Sequence, residues 1–209
     1  MPSKFMLDNN QDIVKSINKN NDLANHLAKT LQHISQNPTR KIPPVDRWQP
    51  ANCSPLDITI CDNGEWWHEG AKMTRQSLVD LFASVLWVEM HDGQKVHYLK
   101  TPTDKYQICV VDAPLFINRV EQVADGGVDW IVLYTTHGDA ICLDDRHRLY
   151  FADFAGTERL YVDTRFGLTA RLLNNAMYHL VELGELVEVD GLTALRLTSG
   201  GKVYQITQK

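Results

Sequence analysis

The sequence predicts an α+β protein: two related units of antiparallel strands, each holding one helix, behind an N-terminal helical arm. Three observations carry this prediction. Apolar residues recur at helical spacing before residue 37 and at strand-like alternation after residue 55. Gly-containing turn signals separate the alternating runs. A segment near the middle of the chain also returns, in order and spacing, near its end. The expected division is an arm and proline-rich entry over 1–42, a first repeat domain over 43–113 and a second over 114–209.

In the arm, Ile13, Val14 and Ile17 suggest a first short helical piece. Leu23, Leu27, Leu31 and Ile34 then follow at spacings of four, four and three, the stripe of an amphipathic helix. Asn37-Pro38 ends it, because proline disfavours a helical residue before it. The extended stretch 42–55 carries Pro43, Pro44, Trp48 and Pro50.

Residues 57–61 and 65–68 read as a hairpin around Asp62-Asn63-Gly64. Thr74 can cap a helix built on Leu78, Leu81, Phe82, Val85 and Leu86. Strands are expected over 95–100, 106–111, 114–123 and 129–134, the last two joined at Asp125-Gly126-Gly127. A further hairpin is expected over 140–143 and 147–151. Leu168, Leu172, Ala176, Leu180 and Leu183 then suggest a helix that Gly184 terminates, and strands over 192–197 and 202–206 close the chain.

The internal repeat is visible in letters. Val88-Glu89-Met90-His91-Asp92-Gly93 matches Val187-Glu188-Val189-Asp190-Gly191, and each Gly stands 13 positions before a Tyr-Gln-Ile, at Tyr106 and Tyr204. Residues 57–111 and 140–206 are therefore expected to superpose.

Composition narrows the function classes. The chain has 209 residues, 44% of them hydrophobic, and a net charge of −5, enough apolar content for a packed core. An acidic chain repels a phosphate backbone, which argues against coating of nucleic acid. Residues 1–50 nonetheless carry +3, leaving −8 for the rest. No apolar run approaches the length of a membrane span, and MPSKFMLDNN lacks the apolar stretch of a signal peptide. A cytoplasmic protein is expected. Cys53, Cys61, Cys109 and Cys142 form no C-x-x-C; Cys61, Cys109 and Cys142 sit in apolar strand-like runs, and the thiols are read as free and buried.

No catalytic motif stands out. G-x-S-x-G, H-E-x-x-H and the phosphate-loop pattern are all absent, and Ser199-Gly200-Gly201-Lys202 reads as a hairpin tip. The eight histidines are scattered, so no metal site and no cofactor are expected. Asp144, Asp145 and His147 could serve a hydrolase, provided that their environments push the two carboxyl pKa values apart. The N-terminal helices could instead dock a partner protein or a second copy. The leading constellation joins cations and aromatics: Trp66, Trp67, Arg119, His147, Arg159, Tyr161, Arg165 and Arg171. Guanidinium forks suit a phosphate, and rings suit a planar group.

The run Pro43-Pro44-Val45-Asp46-Arg47-Trp48-Gln49-Pro50 with Leu56-Asp57-Ile58 resembles the opening of a bacterial family known as domain of unknown function 1285. Asp62-Asn63-Gly64-Glu65-Trp66, Leu78-Val79-Asp80-Leu81-Phe82, Tyr98-Leu99-Lys100-Thr101-Pro102, Asp112-Ala113-Pro114, Asp145-Arg146-His147-Arg148-Leu149 and Met177-Tyr178-His179-Leu180 extend the resemblance in order. It departs from the family pattern at Arg148, where proline is common. The resemblance implies a duplicated architecture with a C-terminal half loosely similar to pleckstrin-homology barrels. It also implies a nucleotide-like ligand where the halves meet, and a role in signalling. The expected ligand residues are Trp66 or Trp67 for stacking, with Arg119, His147, Arg165 and Arg171 for the anion. No catalytic residue is assigned.

Overall fold

A computed structural model describes residues 42–207. The expected helical arm, with its stripe of Leu23, Leu27, Leu31 and Ile34, lies outside the described residues. The chain divides into two compact units, one ending at Val111 and the other beginning at Asp112.

In the first unit a 3-10 turn, Val45–Arg47, leads into β1 (Asn52–Ile60), β2 (Trp66–His68) and β3 (Ala71–Lys72). Helix α1 (Gln76–Ser84) follows, then β4 (Leu86–His91), β5 (Gln94–Lys100) and β6 (Asp104–Val110). All six strands form one sheet in the order β3-β2-β1-β6-β5-β4, with β1 and β6 parallel. The alternation of β1 sends Leu56, Ile58 and Ile60 inward. Helix α1 buries Val79, Phe82 and Ala83, and Phe82 meets Trp66 with ring centroids 6.4 Å apart. Burial of such large side chains contributes about 1.5–3 kcal/mol each.

The second unit begins with β7 (Leu115–Asp125), β8 (Val128–Thr135), β9 (Ala140–Cys142), β10 (Leu149–Phe154), β11 (Thr157–Asp163) and β12 (Thr169–Leu172). These form a sheet in the order β10-β11-β12-β7-β8-β9, with β12 and β7 parallel. Helix α2 (Asn174–Glu182) and a three-stranded antiparallel sheet, β13 (Glu185–Val189), β14 (Leu192–Ser199) and β15 (Lys202–Thr207), complete it. The fully buried Ser199 ties this last sheet to the larger one. Its hydroxyl donates to the Leu143 carbonyl (2.8 Å) and accepts from the Ile131 amide (3.0 Å).

The α+β class is corrected. Fifteen strands stand against two nine-residue α-helices among the described residues, so the protein is mainly β. Its two large sheets are mixed rather than antiparallel, and the open strand orders lend no support to a pleckstrin-homology-like C-terminal unit. The expected helix over 168–183 begins only at Asn174, because Thr169–Leu172 pairs with β7 as a strand. A short apolar run buried on both faces has no period to separate strand from helix. The expected hairpin over 140–151 also dissolves: β9 pairs with β8, and β10 pairs with β11. The thiols expected to be buried are not: Cys61 is half-buried, and Cys53, Cys109 and Cys142 are exposed, on the outward side of their strands' alternation. Gly184 follows the end of α2 but has no left-handed conformation. A Cβ there would stand 2.6 Å from Leu195 Cδ1 and 2.8 Å from the Arg196 carbonyl, so close packing on β14 is what requires glycine.

Duplication is present in a different register from the one expected. In each unit, six consecutive strands take the order third-second-first-sixth-fifth-fourth, and the first and sixth are parallel. The sequences echo this. Leu86-Trp87, Gly93, Tyr98-Leu99 and Thr101 recur at the same spacing as Leu149-Tyr150, Gly156, Tyr161-Val162 and Thr164. The turns match too: Asp92 and Gly93 have φ of 49° and 80°, and Ala155 and Gly156 have 52° and 80°. Two successive left-handed residues match the twist of the strands that they join. Residues 140–206, by contrast, are split over two sheets.

Candidate functional site

The residues with most chemistry in the second unit lie on one face of its larger sheet. Tyr150 on β10 pairs with Tyr161 on β11, Tyr161 with Arg171 on β12, and Arg171 with Phe116 on β7. Partners in register point the same way, so these four form a row across four strands. Arg159, two residues from Tyr161, joins that face. The opposite face carries Leu160, Val162, Ala170 and Leu172, all buried. Beneath it, Met177 and Val181 of α2 meet Phe151 and Leu160 around a cavity of about 100 Å³.

Asp112 organises the row. Its carboxylate accepts from Arg159 Nη1 at 2.7 Å and from the Tyr161 hydroxyl at 2.6 Å, and Arg171 Nη1 lies 3.3 Å away. The Asp112 side chain is 2% exposed, against 22% for Arg159 and 13% for Arg171. Two guanidinium groups thus share one carboxylate. Each also faces a ring: Arg159 lies 4.2 Å from the Phe154 centroid, and Arg171 lies 5.1 Å from that of Phe116. Tyr150 stacks on Tyr161 with centroids 5.9 Å apart. Burial, and then the bond to Asp112, push the Tyr161 hydroxyl well above its ordinary pKa, so it remains a donor. Arg171 Nε is buried with no hydrogen-bond partner among the described residues.

The six residues expected at the site are divided between the units, Trp66 and Trp67 in the first and the four cations in the second. Trp66 is buried in the core of the first unit, while Trp67 points away and donates to Glu65 (3.2 Å). In the second unit every expected cation has a carboxylate partner. Arg119 pairs with Glu121 (2.5 Å) and lies over Tyr134, His147 Nδ1 is 2.8 Å from Asp144, and Arg165 pairs with Asp139 (3.1 Å). Of the four, Arg171 alone belongs to the tyrosine row. Arg159 and Tyr161 were in the wider constellation, whereas Asp112 was missed as a site residue. An acid 47 residues from one partner and 49 from another leaves no local pattern.

The Asp144–Asp145–His147 group is a turn. Asp144 accepts from the backbone amides of Arg146 and His147 and from the Arg146 side chain. Burial raises its pKa, but those bonds outweigh it and hold the carboxyl below its ordinary value. Asp145, bonded by Lys202 and then Tyr204, is also held low. Both values move down together, whereas acid–base work needs them pushed apart.

The first unit has a cavity of about 420 Å³ lined by His97, Gln107, Cys109 and Lys95, and another of about 350 Å³ lined by His68, Glu69, Lys72 and Arg75. None of the expected site residues lines either cavity.

Fold and site together define a duplicated, mainly-β protein with cations and rings displayed on a sheet face. No helix among the described residues is long and apolar enough to cross a membrane. The chain belongs to the DUF1285 family. The model of its N-terminal domain of unknown function matches residues 43–113, and the model of its C-terminal domain matches 114–206. A solved DUF1285 family protein from Silicibacter pomeroyi DSS-3 is 30% identical, with a TM-score of 0.68 over 81% of this chain and 88% of that one. Another, from Shewanella baltica OS155, is 24% identical, with a TM-score of 0.45 over 60% of this chain and 90% of that one. Comparison with curated proteins finds no match.

Proposed function

We propose that this protein is a non-enzymatic binding module for a small anion that carries a planar group, nucleotide-like in chemistry, held on the Arg159–Arg171 face of the second unit. The supporting observation is the shared carboxylate. Two guanidinium groups converge on the one Asp112 carboxylate, each beside an aromatic ring, and such forks match the oxygens of an anion. An arriving phosphate or carboxylate meets these donors, and a planar group finds Tyr150 and Phe154 beside it. Occupancy without turnover suits a signalling role.

Titration calorimetry with pyrophosphate and with adenosine monophosphate tests this. The wild-type chain should bind, with the nucleotide tighter than pyrophosphate. Arg171→Met and Arg159→Met should each weaken binding about tenfold, as expected when a bond to a charged group is lost. Arg119→Met should change nothing, and Arg171→Lys, which keeps charge but not the fork, should fall between. Absence of binding at millimolar anion, or equal loss in Arg119→Met, would overturn the proposal.

A further inference from the structure

The duplicated topology places a second charged and aromatic cluster in the first unit, at the position that corresponds to the tyrosine row. Trp87 on β4 pairs with Tyr98 on β5, and Tyr98 pairs with Gln107 on β6. In the second unit the matching strands carry Tyr150, Tyr161 and Arg171. Strand alternation puts Trp87, Glu89, Tyr98, Lys100 and Lys105 on one face of the sheet. Leu86, Leu99, Tyr106 and Ile108 take the other face and are buried.

The chemistry repeats with different residues. Glu89 accepts from Lys105 Nζ at 2.6 Å and from the Trp87 indole at 3.2 Å, and His91 Nε2 is 3.2 Å away. Lys105 Nζ also lies 4.6 Å from the centre of the Tyr98 ring. Lys100 is 6% exposed, and its ammonium sits 3.9 Å over Trp87. Among the described residues no carboxylate pairs with it. Glu89 and Asp46 attract Lys100 without pairing with it, and both lysines rest on aromatic faces. We infer that the first unit holds an anion site of its own, with Lys100 and Lys105 contacting a phosphate-type group and Trp87 and Tyr98 forming its aromatic floor.

A ring face compensates a buried ammonium less fully than a carboxylate does. Burial, and then the nearby Lys105 charge, draw the Lys100 pKa down against the pull of Glu89 and Asp46. A phosphate oxygen between Lys100 and Lys105 would give Lys100 the direct ionic partner that the ring face does not. The approach is from the Lys105–Glu89 side, where the side chains are 21% and 29% exposed, with His91 open at the rim.

The inference adds a site to the proposed function; the count of two equivalents rests on both readings, whereas the Trp87 response reads this site alone. The test is titration of the full chain with pyrophosphate, read by calorimetry and by the Trp87 indole N–H resonance. The wild-type chain should take up two equivalents and shift that resonance. Lys100→Met with Lys105→Met should leave one equivalent, Arg171→Met should leave one while keeping the Trp87 shift, and Lys100→Arg should retain two. If the double variant fails to fold by circular dichroism, Lys105→Met alone should weaken the Trp87 response about tenfold. A single equivalent that is lost in Arg171→Met and leaves Trp87 unmoved would overturn this inference and preserve the first proposal. No binding at all would overturn both.

Discussion

Tyr161 donates its hydroxyl proton to Asp112 across 2.6 Å, on a carboxylate that Arg159 and Arg171 also approach. The four groups come from β11, β12 and the segment ahead of β7. They are gathered because the parallel β12–β7 pairing brings the end of one strand meander beside the start of another.

Removing the carboxylate should be expensive. Asp112→Asn removes the carboxylate that Arg159 and Arg171 share, and breaking a buried pair costs about 3–5 kcal/mol. Urea unfolding should show a lower midpoint. Adding Arg171→Met to Asp112→Asn should recover part of the loss, giving a non-additive cycle.

His97 makes stability pH-dependent. Burial, then the nearby Lys95 charge, lowers its pKa from 6.5 to about 4. The unfolded chain therefore binds a proton more readily than the folded one between these values. Its contribution is intact above about pH 6.5 and is lost as pH falls towards about 4. The full loss is about 3 kcal/mol. The stability difference between pH 7 and pH 4 should be smaller by that order in His97→Gln. An unchanged pH profile in the variant would refute the assignment.

Ser199→Ala should destabilise the second unit by about 2–4 kcal/mol. The change strips partners from the Ile131 amide and the Leu143 carbonyl, and each group is then left unsatisfied. Hydrogen exchange at the Ile131 amide should accelerate in parallel with the global loss.

Gly184→Ala should cost about 1–3 kcal/mol through overpacking, although an exchange of this kind in a helix would ordinarily stabilise. The added methyl meets Leu195, the Arg196 carbonyl and Leu197 within 2.8 Å. A neutral or raised melting temperature would show that β14 yields to it.

Short-range features were the legible ones. Asn63-Gly64, Asp125-Gly126-Gly127 and Ser199-Gly200-Gly201-Lys202 mark real turns, because left-handed residues leave a compositional trace. Alternation revealed β1, β5, β6, β8, β14 and β15. Leu168 and Leu172 misled, since a helix stripe and a doubly buried strand share the same letters there. At the site, the residue types Arg159, Tyr161 and Arg171 were visible as suitable for an anion. What joins them, Asp112, depends on a strand pairing that no local pattern encodes. Lys100 was hidden for a related reason: a lysine reads as surface until the fold buries it.

The seam at the middle of each large sheet has a kinetic consequence. β1 bonds to β6 and β7 bonds to β12, so each sheet is closed by its earliest and latest strands. Hairpins such as β4–β5 can form while the chain is still being made, but closure waits for the last strand of the six to leave the ribosome. Non-local pairing of this kind pays its loop-closure entropy before it is rewarded. Each large sheet is therefore committed to close as a whole, after synthesis of its sixth strand, and a chain truncated within β6 or β12 loses the seam rather than merely an edge.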